Sequence, residues 1–237
     1  MRIEIWSDVV CPWCYIGKRR LEAALSGFEH ADDVEVVYRS FELDPSAPHH
    51  GTEKTLPSIA RKYGRSVYEM RPMMEGVMAT AVEEGLDLKL FDTVHTNTID
   101  AHRLLHLALE AGGPTLQRRL KEALLAAYFT RAEDVGDHAV LRRVAVEAGL
   151  DPARVDTVLS GDEYAADVAA DIAQARAYGA TGVPFFVVDQ RYGISGAQPV
   201  EAFTQVLERA WADTHPAIEV LAGGPDAAVC GPDGCAV

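Results

Sequence analysis

Only four of the 237 residues are cysteine, and they fall in two short-spaced pairs, Cys11/Cys14 and Cys230/Cys235. A framework of disulfides tying distant segments together is excluded, and a chain this long can bury a core without one. Basic residues are scarce beside acidic ones: 22 Lys and Arg against 36 Asp and Glu, a formal net charge of −14. That balance argues against nucleic acid and anionic membrane surfaces as partners and is read as a solubility charge. No apolar run approaches the length of a membrane span. The opening Met1-Arg2-Ile3-Glu4-Ile5 carries an acidic residue inside a strand pattern where a leader would need an apolar stretch, so the expected location is cytoplasmic. Gly-rich phosphate loops, Ser-His-Asp spacing, internal repeats and heptads are also absent. In a reducing compartment, a few paired thiols point to catalytic, redox-sensing or metal-binding use.

Residues 2–6 read as a strand, and 12–26 as a helix with Pro12 in its first turn and Tyr15, Leu21, Ala24 and Leu25 on one face. Val34 to Phe41, rich in β-branched and aromatic residues, reads as a second strand. Strand, helix and strand in so short a stretch predict a βαβ unit with a parallel pair and a right-handed crossover. Asp44 to Pro57 is a break, and from about 56 to 178 the pattern is helical throughout. Gly-containing breaks fall near 85, 112–113, 136, 149 and 161, and Asn97 or Thr98 is placed to cap the helix through Leu104 and Leu105. Gly182 to Asp189 is again a strand, Asp189-Gln190-Arg191 a turn, Tyr192 to Gly196 a short strand, and Pro199 to Trp211 a last helix. Each flanking piece is too small to bury a sheet alone. The expected fold is α/β, with residues 1–47 and 165–213 forming one discontinuous domain, 48–164 a helical insertion, and 214–237 a flexible tail.

The chemistry centres on Cys11-Pro12-Trp13-Cys14, a C-x-x-C pair between a strand and a helix. Unpaired N–H groups and the helix dipole favour an anion there, and a thiolate is the reactive form of cysteine. Such a thiol can have its pKa drawn from about 8.5 into the range of roughly 3.5–7.5. A drop of about two units corresponds to about 2.7 kcal/mol of thiolate stabilisation. Cys11 is expected to be this nucleophile, and Cys14, one turn further in, to resolve the mixed disulfide. The same spacing is also half a zinc site. Val183-Pro184 opens a strand. Pro is tolerated there in trans, while a cis bond would turn the backbone edge of residue 183 toward an extended substrate. Cys230 and Cys235 flank Gly-Pro-Asp-Gly, which has strong turn chemistry. Exchange with Cys11–Cys14, a zinc site shared by both pairs, and an incidental tail disulfide all fit that pair. His102 and His106 share one helical face, but no third ligand follows at metalloprotease spacing. They are read as polar residues at a domain interface, and no metal is expected.

Taken together, the C-P-x-C dithiol, the helical insertion and the later Thr181-Gly182-Val183-Pro184 resemble the DsbA-like branch of the thioredoxin fold, and more closely its FrnE-like oxidoreductases. The matching stretches run from Ser7 to Gly17, Phe41 to Leu43, Asn97-Thr98 through His102-Arg103, Tyr128-Phe129, Gly182 to Phe186 and Ile194 to Gln198. The tail pair resembles the extra C-x4-C of some members. The resemblance implies a thioredoxin fold with an inserted all-helical domain and thiol–disulfide oxidoreductase or isomerase activity. It assigns Cys11 as nucleophile, Cys14 as resolving thiol, Pro12 and Trp13 as the dipeptide that tunes potential, and Pro184 as a cis-proline beside Val183. Asn97, His102 and Arg103 are carried over as groove candidates, and Cys230 and Cys235 as an auxiliary redox pair.

The expected partners are proteins bearing thiols or disulfides. No cofactor is expected beyond the cysteines, with glutathione a candidate reductant or cosubstrate. Two alternatives stand beside this reading. One is a glutathione-dependent isomerase or transferase of the 2-hydroxychromene-2-carboxylate isomerase or kappa type, whose members resemble the Asn97 to Arg103 region but do not need Cys14. The other is a redox-gated holdase, for which Met70, Met73, Met74 and Met78 would supply an apolar face.

Overall fold

The computed structural model describes residues 1–216, together with the backbone of 230–231 and 234–235. Four strands make one sheet: β1 (Arg2–Ser7), β2 (Glu35–Ser40), β3 (Phe185–Val188) and β4 (Tyr192–Ser195), in the order β2-β1-β3-β4. β1 pairs parallel with β2, as a βαβ unit demands, and antiparallel with β3. The crossover helix α1 (Pro12–Ser26) and the last long helix α8 (Val200–Thr214) cover one face. There Ile3, Ile5, Leu21, Phe186, Phe203 and Leu207 form a single apolar cluster. On the other face Trp6, Phe185 and Val187 pack with Ala175 of α7 (Ala165–Ala177), and the Trp6 indole donates to the Asp171 carbonyl at 2.7 Å. This is an α/β thioredoxin-like sheet.

Between β2 and β3 the chain builds its helical part from α2 (Thr55–Lys62), α3 (Val67–Glu83), α4 (Ile99–Phe129), α5 (His138–Ala148) and α6 (Pro152–Ser160), followed by α7. α4 has two limbs. Gly112 and Gly113 leave helical geometry, Gly113 at φ 65° where a Cβ would be strained, and Pro114 starts the second limb. The main helical cluster runs through Leu104, Leu107, Leu120, Leu124 and Phe129, and it includes Val9, Tyr15 and Ile16. The turn that carries the C-x-x-C pair is thus the joint between the two cores.

β2 is an edge strand, yet its outer edge is not open. The Tyr38 N–H donates to Gln117 Oε1 at 2.8 Å, Gln117 Nε2 donates back to the Tyr38 carbonyl at 2.9 Å, and the Ser40 N–H donates to Asp171 Oδ2 at 2.8 Å. Side chains of α4 and α7 replace the missing neighbour strand, which satisfies the backbone and blocks edge pairing.

Two expectations change. Residues 86–98 are not helical. Leu86, Leu88 and Leu90 are buried while Asp87 and Lys89 are exposed, a period-two alternation that needs extended backbone. The strand expected over 182–189 is Phe185–Val188, because Pro184 has no N–H to give the ladder and Asp189 and Gln190 turn with φ of 49° and 55°. The methionines do not make one exposed face: Met70 and Met74 are buried in the helical core, Met78 packs against it, and Met73 stands out alone. Asn97, and not Thr98, supplies the capping bond of α4: its Oδ1 accepts the Ile99 N–H at 2.8 Å.

Beyond residue 216, Cys230–Gly231 and Gly234–Cys235 pair antiparallel with Cys230 opposite Cys235. The side chains of this auxiliary pair lie outside the described residues.

Candidate active site

Cys11 is the N-cap of α1, in extended backbone conformation, and Pro12 takes the first helical position. The Cys14 N–H donates to the Cys11 carbonyl at 3.1 Å, closing the first turn. Both thiols are free and buried, with Cys11 4% and Cys14 2% exposed. Trp13 between them is 40% exposed and forms the lip of the site. Across from the helix start, the Val183–Pro184 bond is cis, and the Cys11 thiol donates to the Val183 carbonyl at 3.6 Å.

Gly17 makes this approach possible. A Cβ there would lie 3.1 Å from Pro184 Cγ and 3.2 Å from Phe186 Cζ. The far side of α1 is tied to the second limb of α4 through Glu122. Its carboxylate accepts from Tyr15 Oη at 2.6 Å and from Arg19 and Lys18 at 2.5 and 2.6 Å. Burial works against that carboxylate, but the three donors outweigh it and hold its pKa at about 2.

Behind the dithiol lies a buried polar group of Ser7, Asp8, His102 and Lys121, each 4% exposed or less. Asp8 Oδ1 accepts from the Val9 N–H at 2.7 Å and Oδ2 from the Leu43 N–H at 2.8 Å. His102 Nε2 lies 3.4 Å from Asp8 Oδ1, while its Nδ1 has no partner. The one N–H of a neutral imidazole therefore faces the carboxylate. Lys121 Nζ donates to the Ser7 carbonyl at 3.3 Å and sits 5.5 Å from the centre of the Tyr38 ring.

The two thiols titrate as one unit. The hydrogen bond that the Cys11 S–H gives to Cys14, then burial, pushes Cys11 well up, and the Asp8 charge adds to this. Burial opposes ionisation of Cys14 too, but the Cys11 S–H, the Lys121 ammonium, the Ser7 hydroxyl and the Asp8 N–H draw its pKa down. The first proton thus leaves the pair more readily than from an isolated thiol, and the second is held. The sequence expectation of a lowered pKa on Cys11 alone changes accordingly. Both sulfurs are buried, Cys11 being the harder of the two to ionise and Cys14 the easier.

The groove candidates separate. His102 touches Asp8 behind the thiols. Asn97 is spent on the Ile99 N–H and the Pro45 carbonyl. The Arg103 guanidinium donates to the carbonyls of Glu163 and Gly161, each at 2.7 Å, to that of Val158, and to Asp100 at 2.6 Å. It clamps α4 to the α6–α7 connection and offers nothing to the dithiol. His106 is likewise committed, 3.1 Å from Asp171 Oδ2. Among the described residues no three His, Cys, Asp or Glu side chains converge as a metal site. A recess of about 140 Å³ lined by Asp8, Val10, Leu43, Tyr63, His95 and Tyr128 lies beside the dithiol turn. Two larger depressions, of about 540 and 390 Å³, are lined by neither cysteine.

Residues 2–208 match the family model of the DSBA-like thioredoxin domain. The chain belongs to this family. It is similar to the crystal structure of a probable DsbA oxidoreductase from Streptomyces coelicolor, at 46% identity with a TM-score of 0.84, over 100% of this chain and 99% of that one. It is 28% identical over 214 residues to the uncharacterised YwbO protein of Bacillus subtilis, covering 87% of this chain and 96% of that one. The cytosolic disulfide reductase DsbM of Pseudomonas aeruginosa, solved with GSH, shares the fold: 16% identity, TM-score 0.62, 88% of this chain and 98% of that one. A DSBA-like domain that carries the Cys11–Cys14 pair at the start of α1 is the site of a DsbA-like thiol–disulfide oxidoreductase.

Sequence reasoning missed Lys121. The signal was its position on the stripe Gln117, Lys121, Leu124, Tyr128, spaced i, i+4, i+7, i+11, where a lysine falls on an otherwise inward face.

Proposed function

We propose that the chain exchanges disulfides with protein substrates, Cys11 attacking and Cys14 resolving, in the manner of the FrnE-like branch. The observation that carries this is the Cys11 thiol 3.6 Å from the Val183 carbonyl. A nucleophile that touches main chain ahead of an edge of extended backbone can hold a substrate strand by its peptide groups while its sulfur is in reach. Residue 183 lies outside β3, so its backbone belongs to no ladder. The exposed Trp13 and the recess at Tyr63 and His95 offer apolar and polar surface for the flanking side chains. Retention of Cys14 favours protein dithiol exchange over a glutathione-dependent isomerase, which needs one activating residue. Confinement of the thiols to two short-spaced pairs supports work in a reducing compartment such as the cytoplasm. The register that sets Cys230 opposite Cys235 supports a pairing of these two with each other, and in this reading that pair exchanges with Cys11–Cys14.

The test is reduction and rescrambling of a protein with non-native disulfides. Cys11→Ser is expected to abolish turnover, and Cys14→Ser to accumulate a covalent adduct at Cys11 that mass spectrometry identifies. Full activity in Cys11→Ser overturns the reading. Deletion of 217–237 is expected to leave single-turnover chemistry intact and slow only re-reduction.

A further inference from the structure

The recess beside the dithiol turn has Val10 in its wall, and Val10 is the residue before Cys11. Residues of an extended chain rise about 3.3 Å each. A substrate segment with its cysteine at Cys11 therefore brings a side chain one or two positions away within reach of this opening. The volume of about 140 Å³ lies well above the ~30 Å³ of one water and well below the ~300–1,000 Å³ of a small-molecule site. That is room for one side chain.

Most polar groups of the wall are already paired. Tyr128 Oη donates to the Val94 carbonyl at 2.9 Å and shares a hydrogen bond of 2.9 Å with Thr55. The Thr96 hydroxyl faces the carbonyls of Pro48 and His49, and His95 Nε2 lies 3.0 Å from Asp44 Oδ2. Ser58 of α2 and Thr98 at the start of α4 differ. They are 7% and 3% exposed, and neither hydroxyl has a hydrogen-bond partner among the described residues. The described side-chain atoms that are both unpaired and sealed from solvent are Ser7 Oγ and His102 Nδ1, so the hydroxyls of Ser58 and Thr98 open into the recess they line. Lys62, one turn after Ser58, lines the same recess, its Nζ donating to the Leu43 carbonyl at 3.2 Å.

We propose that this recess reads a residue beside the substrate's cysteine and selects an uncharged hydrogen-bonding side chain, best a carboxamide, through Ser58 and Thr98. This rests on the thiol–disulfide reading above and adds a substrate preference to it. Each hydroxyl both donates and accepts, so the two together meet the oxygen and the N–H groups of an amide. An apolar side chain would cut both hydroxyls off from water and give nothing in return. That penalty lets polar pockets reject apolar analogues. A carboxylate would face the carboxylates of Asp8 and Asp44. An ammonium would face Lys62 and find those carboxylates engaged, Asp8 with the Val9 and Leu43 N–H groups and Asp44 with Ser46 and His95. The side-chain hydroxyls that decide the preference come from α2 and the first turn of α4, both in the helical insertion.

The test uses the reduced full chain and short peptides with one cysteine, each joined by a disulfide to a small aromatic thiol. The Cys11 thiolate bonds to the peptide sulfur, and the aromatic thiolate leaves with the electrons of the broken bond, its absorbance giving the rate. Gln, Leu, Glu and Lys are placed in turn at each of the two positions on either side of the cysteine. At one position Gln is expected to react about tenfold faster than Leu, with Glu and Lys also slower than Gln. In the double variant Ser58→Ala with Thr98→Val the ratio of Gln to Leu should fall to about one. A general loss of structure would lower both rates alike and leave that ratio standing. Equal rates for Gln and Leu at every position, a faster reaction with Leu, Glu or Lys, or a ratio that survives the double substitution overturns the proposal. Should the double variant not fold, Ser58→Ala alone is expected to reduce the ratio about threefold, and an unreduced ratio overturns the proposal. Absence of aromatic thiol release by wild type from every peptide and from the free aromatic disulfide instead overturns the oxidoreductase reading.

Discussion

The Asp8 carboxylate and the His102 imidazole meet 3.4 Å apart with side chains 1% and 0% exposed, directly behind the dithiol. Asp8 receives N–H groups on both oxygens. In Asp8→Asn the amide must turn a donor toward one of these donors, leaving it unpaired in the core. The expected loss is about 1–3 kcal/mol, measurable by denaturant unfolding. The same change removes a negative charge that opposes ionisation of Cys11. The pair's first ionisation should therefore move to lower pH in thiolate-absorbance titration, with a more oxidising potential.

Acid should destabilise the fold through this pair. Burial pushes His102 below its ordinary 6.5, and its partnerless Nδ1 gives a second proton no acceptor. Burial would raise Asp8, but the His102 hydrogen bond and charge, and the Leu43 N–H, bring it below 3.8. Both folded values are depressed, so the unfolded chain binds more protons as pH falls. Stability is present in full above about pH 6.5 and is lost progressively toward and below 3.8. Unfolding free energies measured from neutral pH to pH 4 should fall steadily, and His102→Gln should flatten the upper part of that fall.

Lys121 gives the opposite limb. Its folded value of about 8 lies below the ordinary 10.5, so its charge is a penalty to the fold at neutral pH. The penalty is relieved as pH rises from about 8 to 10.5, because the unfolded chain there holds the proton that the folded one has lost. The size is about 3 kcal/mol. Lys121→Met is expected to be more stable than wild type at neutral pH by up to that amount and to show a flatter alkaline limb.

Much of this architecture can be read along the chain because it depends on local pattern. The strand before Cys11, the Pro12 start of α1 and the turn at Asp189-Gln190 each follow from residues within one or two turns of themselves. The charge environment of the thiols does not. Lys121 is 114 positions from Ser7 in sequence and meets its carbonyl behind the dithiol only because α4 bends at Gly112-Gly113 and ties its second limb to α1 through Glu122. Arg103 misleads for the same reason. Its place in a polar stretch beside Asn97 and His102 suggests a groove residue, while three of its four acceptors lie about sixty positions away, at the end of α6 and the connection to α7. The extended run at Leu86, Leu88 and Leu90 was legible, but it is short and sits between strong helix formers.

Arg103 should therefore behave as a clamp. Arg103→Met leaves the Val158, Gly161 and Glu163 carbonyls and the Asp100 carboxylate short of donors in a largely buried setting. Breaking a buried charge pair in this way is expected to cost about 3–5 kcal/mol in thermal or denaturant unfolding. The rate of Cys11 attack on a small disulfide, measured where the variant is folded, should be unchanged. A variant of wild-type stability with slowed attack would return Arg103 to the groove.

Gly17 offers a test of how closely the dithiol helix must approach Val183. A Cβ at this position would press on Pro184 at 3.1 Å, Phe186 at 3.2 Å and Ala197 at 3.4 Å. Phe186 is 1% exposed and packed edge-on against Phe203, so it has no room to give. Alanine would gain about 1 kcal/mol of helix propensity and lose a similar amount to overpacking, leaving a small net effect. Valine adds two methyl groups without that gain in propensity. Gly17→Val is expected to lose about 2–3 kcal/mol of stability and to push the start of α1 away from residue 183. A small aromatic disulfide needs only the Cys11 sulfur, whereas a protein substrate on this reading also needs the Val183 edge. Turnover of a protein disulfide should therefore fall further than the rate of Cys11 attack on the aromatic disulfide, and equal losses on the two substrates would show that the edge plays no part in binding.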